Sequence, residues 1–191
     1  MNIAVYCASS TRIDEKYGRL ASNVGRLLGQ GGHTVVNGAG NMGLMALTAD
    51  ACMQAGGGAV GVIPQFMVEE GWHHTGMSRL EVTQTMAERK QRMAEISDGA
   101  IVLPGGVGTL DELCELLCLK QLGLYSHPIV IVNLDGYFDP LLAQLARTID
   151  QQFMRPIYAS MWAVAANADE AVSLALTQED TDFSDRRKCK F

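Results

Sequence analysis

Short apolar runs alternate along this chain with longer amphipathic segments, and that alternation constrains the fold more than any other feature. NIAVYC (2–7), HTVVNG (33–38) and AVGVIP (59–64) read as strands too continuously apolar for a sheet wet on one face. LEVTQT (80–85), AIVLP (100–104) and PIVIVN (128–133) continue the series, and a last short strand is expected near 161–165. Between them lie helical patterns. In the first, Leu20, Val24, Leu27 and Leu28 form one stripe at the helical period before Gly31 and Gly32 stop it. Further helices are expected over 44–58, 86–97, 110–122, 138–153 and 169–178. The order predicts one open, mostly parallel sheet with helices on both faces, with no internal domain boundary or repeat.

Such sheets bind ligands beyond the carboxyl ends of their strands. The rule selects 7–10, 37–43, 64–76, 85–89 and 104–112 as candidate walls of one site, and places Ser10 and Gly40 among them. Segment 65–79 is expected to be mostly loop, longer than a simple connection requires and therefore a candidate lid or binding loop.

Composition narrows the functional classes. A chain of 191 residues, 48% of them hydrophobic, is long enough to bury roughly two-thirds or more of its unfolded surface in one core. It contains no uncharged apolar run of about 18 residues and opens without a basic leader, so neither a membrane partner nor a signal peptide is expected and a cytoplasmic location is. A formal net charge of −6 argues against a nucleic-acid partner, and the basic cluster RRKCK (186–190) reads as a solvated tail. Five scattered cysteines do not make a disulfide framework. Cys114 and Cys118 lie one helical turn apart without a metal-ligand pattern nearby, so ordinary buried thiols and no metal site are expected.

Two glycine-rich loops carry the chemistry. GAGNMG (38–43) has the bare spacing of a dinucleotide fingerprint but follows the second strand and lacks the later acidic residue. It suits phosphate or ribose contact, or close helix–strand packing. PGGVGT (104–109) lacks the Lys-Ser/Thr ending of a triphosphatase loop, yet its glycines bring backbone N–H groups close to an anion at a helix start. Thr109 and Glu112 also form a T-x-x-E capping-box pattern, which would close that helix end. Both readings stay open on these residues. The segment TMAERKQRM (85–93) brings Arg89, Lys90 and Arg92 to another strand end, where they can oppose a phosphate.

PGGVGTLDE (104–112) resembles the PGGxGTxxE motif of the LOG ("lonely guy") family of cytokinin-activating phosphoribohydrolases, often called lysine decarboxylases. MAERKQRM (86–93) is similar to that family's MHxRKxxM segment, and NGAGNMGLMA (37–46) to its GGGxxGLMG loop. The resemblance extends over residues 1–180, leaving 181–191 as a polar tail. It implies a Rossmann-like fold, at least a homodimer, no cofactor, and hydrolysis of the N-glycosidic bond of a purine nucleoside 5′-monophosphate. The substrates implied are AMP or N6-substituted adenosine 5′-monophosphates, and the products a free base and ribose 5-phosphate. Residue by residue, Glu112 and Arg89 correspond to the pair at the reacting ribose. Gly105, Gly106, Gly108 and Thr109 correspond to the phosphate loop, and Met86, Lys90, Ser10 and Gly40 fall in the neighbouring substrate-binding segments. Ala39, Ala46 and Ala87 depart from the family pattern, a change compatible with altered base or ribose contacts if the backbone φ at these sites is negative.

On that reading an ionised Glu112 stabilises positive charge developing on the ribosyl ring, while Arg89 positions the nucleotide and keeps the carboxylate charged. Asp111 faces elsewhere on the helix, and His73 and His74 are loop residues. Trp72 could stack on a purine or anchor its loop. A pyridoxal enzyme needs a Schiff-base lysine, and Lys16, Lys90, Lys120, Lys188 and Lys190 sit in no cofactor signature. A non-catalytic nucleotide sensor or carrier built on the same loops is the alternative.

Overall fold

Successive strand residues face opposite sides of a sheet, and here both sides are buried. Ile3 and Val5 pack on one face with Leu20, Val24 and Leu28, whereas Ala4 and Tyr6 pack on the other with Met93, Leu113 and Leu116. The computed structural model describes residues 1–183. Its order is β1 (Asn2–Tyr6), α1 (Glu15–Gln30), β2 (Thr34–Asn37), α2 (Gly43–Gln54), β3 (Gly58–Pro64), α3 (Gln65–Glu69) and β4 (Arg79–Thr83). Then follow α4 (Met86–Glu95), β5 (Gly99–Val102), α5 (Val107–Gln121), β6 (Ile129–Val132), α6 (Asp139–Asp150), β7 (Ala163–Ala165) and α7 (Ala168–Thr177).

The strands form one 7-stranded sheet in the order β4-β3-β2-β1-β5-β6-β7, and every pairing is parallel. Helices α1, α2 and α7 cover one face, and α4, α5 and α6 the other. The strand order reverses direction between β1 and β5. At that switch point the loops after β1, β2 and β5 diverge to leave a crevice. The architecture is the Rossmann-like one expected. No described helix is long and apolar enough to cross a membrane.

The segment after β3 opens with α3 over 65–69 and is otherwise mostly loop, as expected. Two local expectations need correction. The helix after β5 begins at Val107 with Gly106 as its N-cap, three residues before the expected start. Cys114 and Cys118 are exposed on α5 rather than buried as expected, whereas Cys7 and Cys52 are buried. The basic cluster 186–190 lies outside the described residues. Just before it, Phe183 is 7% exposed and packs against Tyr158, with ring centroids 5.7 Å apart.

Candidate active site

The crevice at the switch point is a pocket of about 540 Å³, within the range that holds small-molecule ligands. The loop after β1 supplies Cys7 and Ser10, the loop after β2 supplies Gly38, Gly40 and Met42, and the start of α5 supplies Gly106, Gly108, Thr109 and Glu112. Arg89 reaches in from α4.

The first turn of α5 decides what one end of the pocket can hold. Gly106 has no side chain to cap the helix, and Thr109 lies inside the first turn instead of before it. Of the two readings left open for this helix start, the Thr109–Glu112 capping box therefore does not form. Without it, the N–H groups of the first turn have no side-chain cap, next to the positive end of the helix dipole. Gly105 cannot carry a side chain here, because a Cβ would stand 2.1 Å from the Thr109 hydroxyl.

Glu112 and Arg89 meet at the bottom of the pocket. Arg89 Nη2 lies 3.4 Å from Glu112 Oε1, with the two side chains only 7% and 10% exposed. Arg89 Nε donates to the carbonyl of Val62 at 3.1 Å, which fixes the guanidinium against β3. The same side chain crosses the backbone so closely that a Cβ on Gly38 would be 1.5 Å from Nη2. Burial pushes the Glu112 carboxyl up to about 7 against the lowering influence of Arg89. Arg89 favours the carboxylate, but withdrawal from water outweighs the neighbouring cation. Burial also raises the Cys7 thiol, with Glu112 adding to the rise, so this pocket thiol stays protonated.

Lys90 and Asp111 form a separate cluster. Lys90 Nζ is 2.9 Å from Asp111 Oδ2 and also pairs with Glu115. Those partners hold its charge outside the pocket lining, and Asp111 faces away as expected. Met86 lies beside the site, its sulfur 3.9 Å from Arg89 Nη1. Of the residues singled out from the sequence, Ser10, Gly40, Gly106, Gly108, Thr109, Arg89 and Glu112 line the pocket, whereas Gly105, Lys90 and Met86 do not.

The opposite wall is apolar and firmly strapped. Met42, Met45, Met67 and Trp72 line it, with Trp72 49% exposed. Asn41 N–H donates to the Trp72 carbonyl at 3.0 Å, His74 N–H to the Ala39 carbonyl at 2.8 Å, and Asn41 Nδ2 to the Gly71 carbonyl at 3.1 Å. His74 accepts from Gly76 N–H at Nδ1 and presents Nε2 to Asp50 at 3.0 Å. His74 thus anchors the loop and does not enter the pocket lining. Asn37, fully buried, accepts from Ala39 N–H at 2.9 Å and donates to the Met45 carbonyl at 3.0 Å, closing the glycine loop from inside. Ala39 occupies the left-handed region at φ 56°, so the assumption of a negative φ there fails. The sequence marks the strap's segments as candidate walls of the site, but neither the strap's pairings nor the loop after β6 carries a local sequence signal. Their partners are distant in sequence and identifiable only once the fold brings them together.

None of the described lysines lines the pocket. Lys120, the buried one, donates to the Ser126 carbonyl at 2.9 Å from the end of α5 remote from Gly106. A pyridoxal group in this pocket would find no Schiff-base partner among the described residues.

Fold and site together define a Rossmann-like α/β protein whose switch-point pocket joins an uncapped helix to a buried arginine–carboxylate pair. The family model described as "Possible lysine decarboxylase" matches residues 45–175. A cytokinin riboside 5′-monophosphate phosphoribohydrolase of Mycobacterium tuberculosis is 41% identical over 170 residues, 89% of this chain and 90% of that protein. One of the same name from Rhodococcoides fascians is 36% identical over 174 residues, 90% of this chain and 87% of the relative. The chain belongs to this LOG family of phosphoribohydrolases, to which the decarboxylase description is also attached. Among solved structures, the molybdenum cofactor carrier protein of Chlamydomonas reinhardtii superposes with a TM-score of 0.70 over 90% of this chain and 93% of that one. At 20% identity that likeness shows the fold alone.

Proposed function

We propose that the protein hydrolyses the N-glycosidic bond of AMP or an N6-substituted adenosine 5′-monophosphate, releasing the base and ribose 5-phosphate. The observation that carries the proposal is the pairing of buried Glu112 with Arg89 one helical turn from the uncapped start of α5. The 5′-phosphate is placed at the N–H groups of 106–109, where helix dipole and free donors favour an anion. The ribose then lies over Glu112, and the purine against Trp72 and the methionine wall, whose polarizable side chains suit a flat base with an apolar substituent.

Cleavage builds positive charge on the ribosyl ring as the C1′–N bond lengthens. The ionised form of Glu112 stabilises that charge in a site with little water to screen it. With a carboxyl titrating at about 7, Glu112 also accepts a proton from the attacking water near neutral pH. Oxygen of that water bonds to C1′ as its proton passes to Glu112, and the electron pair of the broken bond stays on the base nitrogen. The departing base takes a proton from solvent, and Glu112 returns its own to solvent. Arg89 has a positioning part: its bond to Val62 and its contact with Glu112 hold the carboxylate in place.

Two further readings accompany this one. A homodimer is supported by exposed apolar side chains at the two ends of α5. Val107 is 84% exposed in its first turn and Leu122 67% exposed just past its last residue, with Cys114 and Cys118 exposed between them. A cytoplasmic location is supported by the unpaired thiols among the described cysteines. The activity is tested by incubating purified protein with AMP and separating the products chromatographically. Adenine and ribose 5-phosphate in equal amounts are expected. AMP bound but recovered intact would favour a sensor or carrier, and adenosine with free phosphate would reassign the chemistry to the phosphoester.

A further inference from the structure

A residue outside the pocket controls how its phosphate loop points. Tyr137, in the turn after β6, donates from its hydroxyl to the carbonyl of Gly105 at 2.7 Å. A trans peptide is planar, with its C=O and N–H directed oppositely. Fixing the Gly105 carbonyl toward Tyr137 therefore fixes the Gly106 N–H the other way, and Gly106 lines the pocket. This matters because consecutive glycines give the loop little orientation of its own, and no side chain caps α5. Donation to the carbonyl also polarises the peptide and strengthens its N–H as a donor.

The tyrosine is itself held. Its ring meets Tyr17 edge-on with centroids 5.8 Å apart and Phe138 likewise at 5.0 Å, and Phe138 is 2% exposed. Asp135 and Gly136 both adopt positive φ, 51° and 73°, to turn the chain toward the loop. Asn133 pins the turn from within, accepting from Phe138 N–H at 2.7 Å and donating to Asp139 at 2.7 Å. Lys16 pairs with Asp135 at 2.8 Å and ties the turn to α1. A turn tied down at so many points acts as a strut.

We infer that Tyr137 is a positioning residue for phosphate recognition, setting the Gly105–Gly106 peptide so that its N–H meets the 5′-phosphate of the substrate. The inference rests on the reading of 106–109 as the phosphate anchor, and it assigns Tyr137 no contact with the substrate.

Tyr137→Phe keeps the ring and its packing while removing the donor. Adenine release from AMP, competitive inhibition by ribose 5-phosphate, and calorimetric binding of adenosine are compared in wild type and variant. KM for AMP and Ki for ribose 5-phosphate are expected to rise together by about 3- to 10-fold, the effect of one neutral hydrogen bond. Turnover at saturation is expected to stay within about 2-fold, and adenosine affinity to stay unchanged. Unchanged values for both phosphate-bearing ligands would overturn the inference, as would equal losses for AMP and adenosine or a fall in kcat alone. Wild-type protein that binds AMP no better than adenosine would overturn the phosphate anchor itself, independently of the variant.

Discussion

Glu112 carries a stability cost that follows from its burial. Its side chain is 10% exposed, and its carboxyl is raised from 4.5 to about 7. Between those pH values the unfolded chain loses this proton while the folded chain keeps it, so the group lowers stability as pH rises and does so fully above about 7. The shift corresponds to about 3 kcal/mol at most. Glu112→Gln removes the titration, so its stability relative to wild type is expected to improve between about pH 5.5 and about pH 8.5. Urea unfolding of both proteins at the two pH values checks this, and a difference independent of pH would show that burial does not raise the carboxyl. A second residue-scale prediction concerns Gly38. Its Cβ would fall 1.5 Å from Arg89 Nη2, so Gly38→Ala must displace the guanidinium from Glu112. Turnover on AMP is expected to fall by about 10²-fold, the cost of misplacing a reacting-site group by about 1 Å. Near-normal turnover in this variant would mean that the Arg89–Glu112 geometry is not needed.

At the scale of elements, one four-residue pattern occurs twice with opposite outcomes. T-x-x-E at 85–88 does cap a helix: Thr85 accepts from Glu88 N–H at 3.1 Å, and Glu88 accepts from Gln84 N–H at 2.8 Å. The same pattern at 109–112 does not, because the glycines before it let α5 start at Val107 and draw Thr109 into the first turn. Thr85→Ala is expected to lower stability by about 1 kcal/mol. Thr109→Ala is expected instead to weaken AMP binding with the smaller change in urea midpoint. Measured midpoints and KM values in the reverse order would restore the capping role to Thr109. Strands and long helices were legible in the sequence because continuous apolar runs and helical stripes are local signals, and Ile3 to Tyr6, buried on both faces, illustrate the first. The short helix Gln65–Glu69 escaped because five residues are too few to display a helical stripe. Within the site, Glu112 and Arg89 were found through motif resemblance. The contacts that hold them, Arg89 over Gly38, Gly40 against His73 and Tyr137 on Gly105, join distant stretches and left no trace in any window of sequence.

For the whole molecule, the outer side of α5 and the pocket belong to one argument. The helix that opens at the pocket carries an exposed apolar stripe to its far end, with Val107 84% and, just beyond the helix, Leu122 67% and Leu124 71% exposed. A second copy covering that stripe would shield the pocket mouth as well, which would keep Glu112 away from bulk water. Light scattering at micromolar concentration is expected to give the mass of a dimer or a larger assembly, and Leu122→Glu to shift it toward the monomer. A wild-type monomer would remove the interface. The claim on which the rest depends is that buried Glu112 breaks the ribosyl bond, and adenine release from AMP by folded Glu112→Gln beside wild type tests it most directly. The substitution keeps shape and removes charge, so turnover is expected to fall by roughly 10²–10⁴-fold with the melting transition intact. Turnover close to wild type in the folded variant would contradict the account.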